Sequence, residues 1–141
     1  MEYFAFQWHI TEACDQRCKH CYIYALGSHA KFQAMALEDM VQVIENCQAF
    51  CRRAGRLPYF YLTGGDPILH PQFWQLAGLL KARGLPFAIL GNPFHLTDDV
   101  CQKLRDHGCR KYQLSLDGLR ETHDRIRRPG SYDETLAAIP L

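Results

Sequence analysis

Strand-like and helix-like segments alternate four times along the chain, and this alternation constrains the fold more than any other feature. Apolar residues recur at every second position in the strand-like segments and at helical spacing between them. Repeated strand–helix units predict an α/β fold with a parallel sheet and right-handed crossover connections. The pattern predicts strands at Tyr3–Ile10, Tyr59–Thr63, Phe87–Leu90 and Lys111–Asp117, and helices over 37–54, 71–83 and 98–107 and from near Asp133 onward.

The first and fourth predicted strands each have one polar face. In the fourth strand, Gln113, Ser115 and Asp117 alternate with apolar residues. A parallel strand covered on both sides should be apolar on both faces, so these strands favour a curved sheet whose inner face lines a ligand cavity. In such α/β barrels the chemistry lies at the carboxyl ends of the strands. We therefore expect a partial barrel in which the segments that follow the strands share one rim.

Three cysteines lie within eight residues, directly after the first predicted strand. Three residues separate Cys14 from Cys18, and two separate Cys18 from Cys21, so all three thiols can converge on one metal group. Three thiolates are one ligand short of closing a four-iron cluster. The alternative is a structural zinc site, completed by His20 or by a distant histidine.

Composition excludes several classes of partner. The chain has 141 residues, enough for one domain with a real core, and 16 basic against 15 acidic residues give a net charge of +1. This balance gives no reason to expect nucleic acid or a membrane surface as a partner. We see no signal peptide and no apolar run of membrane-spanning length. An odd cysteine count at metal spacing favours the reducing cytoplasm.

Three segments together resemble the radical S-adenosylmethionine (SAM) superfamily. They read CDQRCKHCY after the first strand, LTGGDPILHP after the second and QLSLDGLRETHDRIRRPGSY after the fourth. The last segment is most similar to the SPASM or twitch branch, which includes anaerobic sulfatase-maturing enzymes and peptide maturases. The resemblance implies a [4Fe-4S] cluster on the three cysteines, with SAM chelating the fourth iron. Reductive cleavage of SAM would then generate a 5′-deoxyadenosyl radical that abstracts a substrate hydrogen.

The resemblance also assigns SAM contacts residue by residue. Gly64 and Gly65 would let the backbone approach the methionine amino group, since a side chain there would clash. Asp66 stands where the family usually has Glu and keeps the charge on a shorter arm. Ser115 would contact SAM, and Arg127 would pair with the SAM carboxylate.

Three further residues have weaker matches to the family pattern. His20 replaces the usual aromatic residue that contacts adenine, although an imidazole can still stack. Asn92 lies in a Gly-Asn-Pro sequence where the family often reads Thr-Asn-Gly, and it is predicted to contact the ribose. Asp117 either orients SAM or anchors the following turn.

The remaining cysteines, histidines and arginines are interpreted without a catalytic role. Cys47 and Cys51 lie on the apolar stripe of a predicted helix and are expected to be core residues. We expect surface or loop positions for the histidines and a solvated patch for two arginines: His70, His95, His107, Arg125 and Arg128.

The predicted function is hydrogen abstraction from a peptide or protein substrate, with an electron donor such as flavodoxin or ferredoxin. The alternatives are a radical SAM enzyme of tetrapyrrole or quinone-cofactor biosynthesis, and a non-catalytic iron–sulfur or zinc-binding module. The core of such enzymes resembles a partial barrel of six strand–helix units, of which residues 1–141 hold about four. We therefore expect this chain to be the N-terminal part of a radical SAM core domain, incomplete at its C-terminus.

Overall fold

A computed structural model describes residues 2–24 and 34–141. Within them, four parallel strands form one sheet in the order of the chain, so that each strand pairs with the next. This architecture confirms the predicted parallel α/β sheet. The strands are β1 (Tyr3–Thr11), β2 (Leu57–Gly64), β3 (Phe87–Leu90) and β4 (Cys109–Gln113).

Helices connect the strands and follow the last of them. A short 3-10 helix, Pro67–Leu69, lies between β2 and the second α-helix. Thr97 caps the third helix, because its hydroxyl accepts a hydrogen bond from the Val100 amide at 3.2 Å. The α-helices are α1 (Leu37–Arg53), α2 (Phe73–Ala82), α3 (Asp98–Asp106), α4 (Arg120–Ile126) and α5 (Ser131–Ala138).

One face of the sheet packs against the helices and forms the core. Its strand residues include Phe60, Leu62, Phe87 and Ile89, all fully buried, and they share one apolar cluster with residues of α1 and α2. The expected core role of Cys51 agrees with its burial. Burial of this contiguous apolar surface is the main term that stabilises the fold.

The other face of the sheet is polar along β1, β2 and β4. It carries Gln7 of β1, Tyr59 and Tyr61 of β2, and Lys111 of β4, which are half-buried or exposed. The two tyrosine rings lie 5.2 Å apart. The contrast between the two faces is the one that the alternating sequence pattern predicts.

The C-terminal third differs from the sequence prediction in two respects. β4 ends at Gln113 rather than Asp117, because its partner β3 ends at Leu90, the residue that pairs with Gln113. Ser115 and Asp117 therefore lie in the loop that follows the strand. The prediction also missed α4, a helix of seven residues in which only His123 is buried, so that it lacks an apolar stripe.

His70 and Arg128 make specific contacts within the fold. His70 is in a loop but is buried, and its ring bonds to the Met35 carbonyl at 2.9 Å and to the Gln72 amide at 3.0 Å. Arg128 donates to the Asp15 carbonyl at 3.2 Å, and its guanidinium lies 3.7 Å from the centre of the Phe94 ring. The expected solvated patch is therefore wrong for Arg128, which attaches the segment after α4 to the cysteine loop.

Within residues 2–24 and 34–141, no helix combines the length and apolar character needed to cross a membrane.

Candidate functional site

The cysteine loop leaves β1 and is held against the C-terminal part of the chain. The Cys21 amide donates to the Cys18 carbonyl at 3.0 Å, which forms a tight turn between these two cysteines. The Lys19 amide donates to the Ile126 carbonyl at 2.8 Å, at the end of α4. These bonds position the three thiols beside the loop that follows β4.

The three thiols face one cavity of about 150 Å³ at the carboxyl ends of the strands. Eight of the eleven predicted site residues line it, and the other three, His20, Asp66 and Asp117, lie around it. Four of the lining residues were not predicted as site residues: Gln16, Leu90, Gly91 and Gln113. The cavity is lined by Cys14, Gln16, Cys18, Cys21, Gly64, Gly65, Leu90, Gly91, Asn92, Gln113, Ser115 and Arg127.

The Gly-Gly turn after β2 lies directly against the backbone of the cysteine loop. The Gly65 amide donates to the Thr11 carbonyl at 2.8 Å, and the Asp66 amide donates to the Ala13 carbonyl at 2.7 Å. A Cβ atom at Gly65 would lie 2.1 Å from the Ala13 carbonyl oxygen and 2.8 Å from the Cys14 Cβ. Only glycine therefore allows this approach, which brings the Gly-Gly backbone to the edge of the cavity.

We predict that Gly65→Ala destabilises the protein by about 1–3 kcal/mol, the usual cost of forcing extra volume into a packed site. Chemical unfolding followed by circular dichroism measures this change. Gly78→Ala in α2 is the matched control, because nothing lies within 4 Å of its added Cβ. That change should stabilise the helix by about 0.5–1 kcal/mol. Equal unfolding free energies for the native and Gly65→Ala chains would contradict the close approach.

Asn92 connects the loop after β3 to the cysteine loop. Its side-chain amide donates to Cys14 Sγ at 3.2 Å and to Asp15 Oδ1 at 2.8 Å, and its backbone carbonyl accepts from the Tyr112 hydroxyl at 2.9 Å. The amide thus contacts a predicted cluster ligand, a contact that the sequence analysis did not foresee. The ribose contact stays a prediction.

Arg127 is the positive charge closest to the thiols among the residues that line the cavity. Its Nε donates to Asp117 Oδ2 at 2.6 Å, and its Nη1 lies 3.4 Å from Gln16 Oε1 and 3.7 Å from Cys18 Sγ. Burial raises the pKa of Asp117, but the hydrogen bond and charge of Arg127 outweigh it and lower the pKa below its ordinary value. Asp117 is therefore an ionised partner that holds the guanidinium in place.

Burial dominates the ionisation of the thiols and of Asp66. It raises the pKa of Cys14 and of Cys18, and nearby hydrogen bonds and the Arg127 charge offset only part of the increase. It also raises the pKa of Asp66 to about 6. A metal ion or cluster would displace the thiol protons, because thiolates are the ligating form.

His20 lies at the outer edge of the site. Its side chain is 57% exposed, and its Nε2 is 3.8 Å from Asp117 Oδ2. It is not among the residues that line the cavity with the thiols. Because the ring is exposed, it can stack on a bound base. The position of His20 outside the cavity does not suit a fourth metal ligand beside the three cysteines.

The spacing of the thiols fits a cluster better than a single ion. Around one zinc ion, tetrahedral Zn–S bonds bring sulfur atoms to within about 4 Å of one another. Among the described residues, only Asp15, Asp66 and His95 bring three potential metal-ligand atoms to within 4.8 Å of one another, so at least one pair of the three sulfurs is farther apart than that. This spacing is wider than one zinc ion would need, and a larger group such as a [4Fe-4S] cluster can bridge more widely spaced thiolates.

Comparison with known proteins identifies the family of the chain. Residues 8–141 match the Radical SAM superfamily. The chain is 29% identical over 136 residues to the AdoMet-dependent heme synthase of Methanosarcina barkeri, covering 95% of this chain and 37% of the relative. It is also 29% identical over 138 residues to the mycofactocin maturase MftC of Mycobacterium tuberculosis (strain CDC 1551 / Oshkosh), covering 94% of this chain and 32% of the relative.

The structure of Streptococcus suis SuiB bound to S-adenosylmethionine has a similar fold. The two superimpose with a TM-score of 0.71 at 14% identity, over 97% of this chain and 30% of SuiB. This likeness concerns the fold, and it confirms the predicted partial (βα) barrel architecture.

The chain belongs to the Radical SAM superfamily, because the family match covers nearly its whole length. Enzymes of this superfamily use a [4Fe-4S] cluster and SAM, so the family and cofactor predictions are confirmed. The chain spans about a third of the length of the relatives described above. The roles of individual site residues stay predictions.

Proposed function

We propose that this chain provides the cluster-binding and SAM-binding part of a radical SAM enzyme that acts on a peptide or protein. The observation that carries the proposal is one cavity lined by three thiols, the Gly-Gly turn and Arg127. A non-catalytic metal-binding module would not need the Gly-Gly turn and Arg127 beside its metal ligands. The bound cluster and SAM together supply a radical that abstracts a hydrogen atom from the substrate.

Each part of the site has a task in this proposal. Cys14, Cys18 and Cys21 hold three irons of the cluster, and the fourth iron is left for SAM. The backbone at Gly64 and Gly65 approaches the methionine amino group of SAM, and Arg127 binds its carboxylate. Ser115 and Asn92 contact other parts of SAM, His20 stacks on the adenine, and Asp66 and Asp117 hold the surrounding loops and the guanidinium.

Relatives support two substrate classes. The mycofactocin maturase favours a peptide substrate, and the AdoMet-dependent heme synthase, equally similar in identity, favours a tetrapyrrole. We place the peptide first because the segment after β4 most resembles the peptide-maturase branch. A neighbouring gene for a short cysteine-rich peptide would support peptide modification, and neighbouring genes for tetrapyrrole synthesis would support the alternative.

The proposal extends to domain organisation, partners and location. Residues 1–141 act as one radical SAM core unit, which receives electrons from a flavodoxin or ferredoxin in the cytoplasm. All predicted cluster and SAM contacts lie between Cys14 and Arg127, so SAM recognition is encoded within this chain.

We predict that the anaerobically reconstituted chain, given a strong reductant and SAM, forms 5′-deoxyadenosine and methionine slowly and without any peptide. Mass spectrometry of the products measures this reaction. Cys18→Ala should abolish it and Cys47→Ala should leave it unchanged, because Cys47 lies on α1 away from the cavity. A chain that carries the cluster and binds SAM, yet forms neither product, would contradict the proposed reaction.

A further inference from the structure

A second group of potential metal ligands lies next to the cavity but contains none of the three cysteines. Asp15 is in the loop after β1, Asp66 follows β2, and His95 is in the loop after β3. One ligand atom from each of these side chains lies within 4.8 Å of the other two. The closest approach joins His95 Nε2 to Asp15 Oδ2 at 2.9 Å. Two adjacent ligand atoms on one metal ion are about 3 Å apart when each metal–ligand bond is about 2.1 Å long, so this spacing suits a shared ion.

Two of these atoms are buried and have no hydrogen-bond partner. The Asp66 side chain is completely buried. Its Oδ1 accepts from the Ile68 amide at 3.3 Å, and the Asn92 backbone amide also lies beside this carboxylate, but within the described residues no group has hydrogen-bond geometry to Oδ2. His95 Nε2 is also buried and, despite its closeness to Asp15, lacks the geometry of a hydrogen bond. Buried polar atoms without a partner are rare in native structures and need an explanation.

The chemistry of the three side chains indicates which ligand would satisfy these atoms. Two carboxylates and one imidazole direct oxygen and nitrogen lone pairs at one point, and a bound cation would satisfy them. Carboxylate oxygens with an imidazole nitrogen suit divalent first-row metals such as Mn²⁺, Fe²⁺ and Zn²⁺. We propose that Asp15, Asp66 and His95 bind one divalent metal ion of this class.

The ion would add one further link between three loops that hydrogen bonds already hold together. Each ligand follows a different strand, so a single ion would tie together the carboxyl ends of β1, β2 and β3. Asn92 links this site to the cysteine loop, because its amide contacts both Asp15 Oδ1 and Cys14 Sγ. The ion therefore has a structural role: it holds Cys14 and the Gly-Gly turn in position beside the cavity.

The site can be tested without the iron–sulfur cluster and without SAM, so its failure is distinguishable from failure of the proposed function. Mn²⁺ is the probe, because it prefers oxygen and imidazole ligands to thiolates. Electron paramagnetic resonance of free Mn²⁺ during a titration of the cluster-free chain should show one bound ion per chain. Zn²⁺ should displace it, and the bound Mn²⁺ should raise the melting temperature.

Matched variants identify the ligands. His95→Gln and Asp66→Asn should each weaken Mn²⁺ binding by about tenfold or more, since even outer-shell changes have effects of this size. His107→Gln should not, because this histidine lies at the end of α3 and bonds to the Lys103 carbonyl. Cys18→Ala should also bind Mn²⁺ normally, which separates this site from the thiols.

Three results would overturn the proposal. One is a native chain that binds no Mn²⁺ with a stoichiometry near one. Another is unchanged Mn²⁺ affinity in His95→Gln, and the last is loss of binding in Cys18→Ala. If the buried Asp66→Asn change prevents folding, the partly exposed His95 still decides the question, with circular dichroism as the check on its fold.

Discussion

Replacing any one of Cys14, Cys18 and Cys21 by alanine is expected to abolish the iron–sulfur cluster of the reconstituted protein. The native chain should turn brown on anaerobic reconstitution and bind about four irons, the number set by the cluster type. Each variant offers only two thiolates to the cavity, and the other residues that line it bring no His, Asp or Glu side chain as a replacement ligand. Iron and sulfide analysis together with the visible absorption spectrum measures the loss.

Cys47→Ala is the control for this experiment. Cys47 is a half-buried residue of α1 that packs against the apolar core, and it does not line the cavity. The control should therefore retain its colour and its iron. A colourless native protein that binds one zinc ion instead would contradict the cluster and favour the structural zinc alternative.

The sequence was most informative where one physical requirement determines the local pattern. Phe87–Leu90 is predicted with the bounds that the structure shows, because a short strand that is buried on both sides over most of its length must be apolar on both faces. The start of α1 at Leu37 agrees for a similar reason, since its buried side chains recur at helical spacing. α4 was missed because it buries mainly one histidine, and a single buried polar residue produces no periodic signal.

The candidate site was also predictable only in part. Its location was predictable, because the carboxyl ends of parallel strands meet at one edge of a sheet and the loops that follow them lie side by side. The individual contacts between these loops were not predictable. Asn92 bonds to Cys14, and Asp15 lies beside both Asp66 and His95, although these residues are far apart in sequence and come from different loops. Loop conformations decide such pairs, and neither spacing nor periodicity reports them.

Arg127→Ala is expected to leave the cluster intact and to weaken SAM binding by about 2–5 kcal/mol, the usual cost of stranding one member of a buried, hydrogen-bonded charge pair. The Arg127 side chain is only 12% exposed, and Asp117 fixes its Nε, while Nη1 faces Cys18 at the cavity. The carboxylate of SAM would then meet a guanidinium that is already oriented. Titrating SAM into the reduced protein and following the cluster signal by electron paramagnetic resonance measures the affinity.

Two further variants separate a SAM contact from a purely structural ion pair. Arg125→Ala should bind SAM normally, because Arg125 is exposed on α4 and does not line the cavity. Arg127→Lys keeps the charge but loses the planar fork that can bond to Asp117 and a second carboxylate together, so its SAM affinity should lie between those of the native and alanine chains. If Arg127 only anchored Asp117, Arg127→Ala would lower the unfolding free energy of the protein. The SAM concentration needed to change the cluster signal would then be the same as for the native chain. Reduced SAM affinity in Arg127→Ala with an unchanged cluster and an unchanged Arg125→Ala control would instead place the SAM carboxylate at this guanidinium.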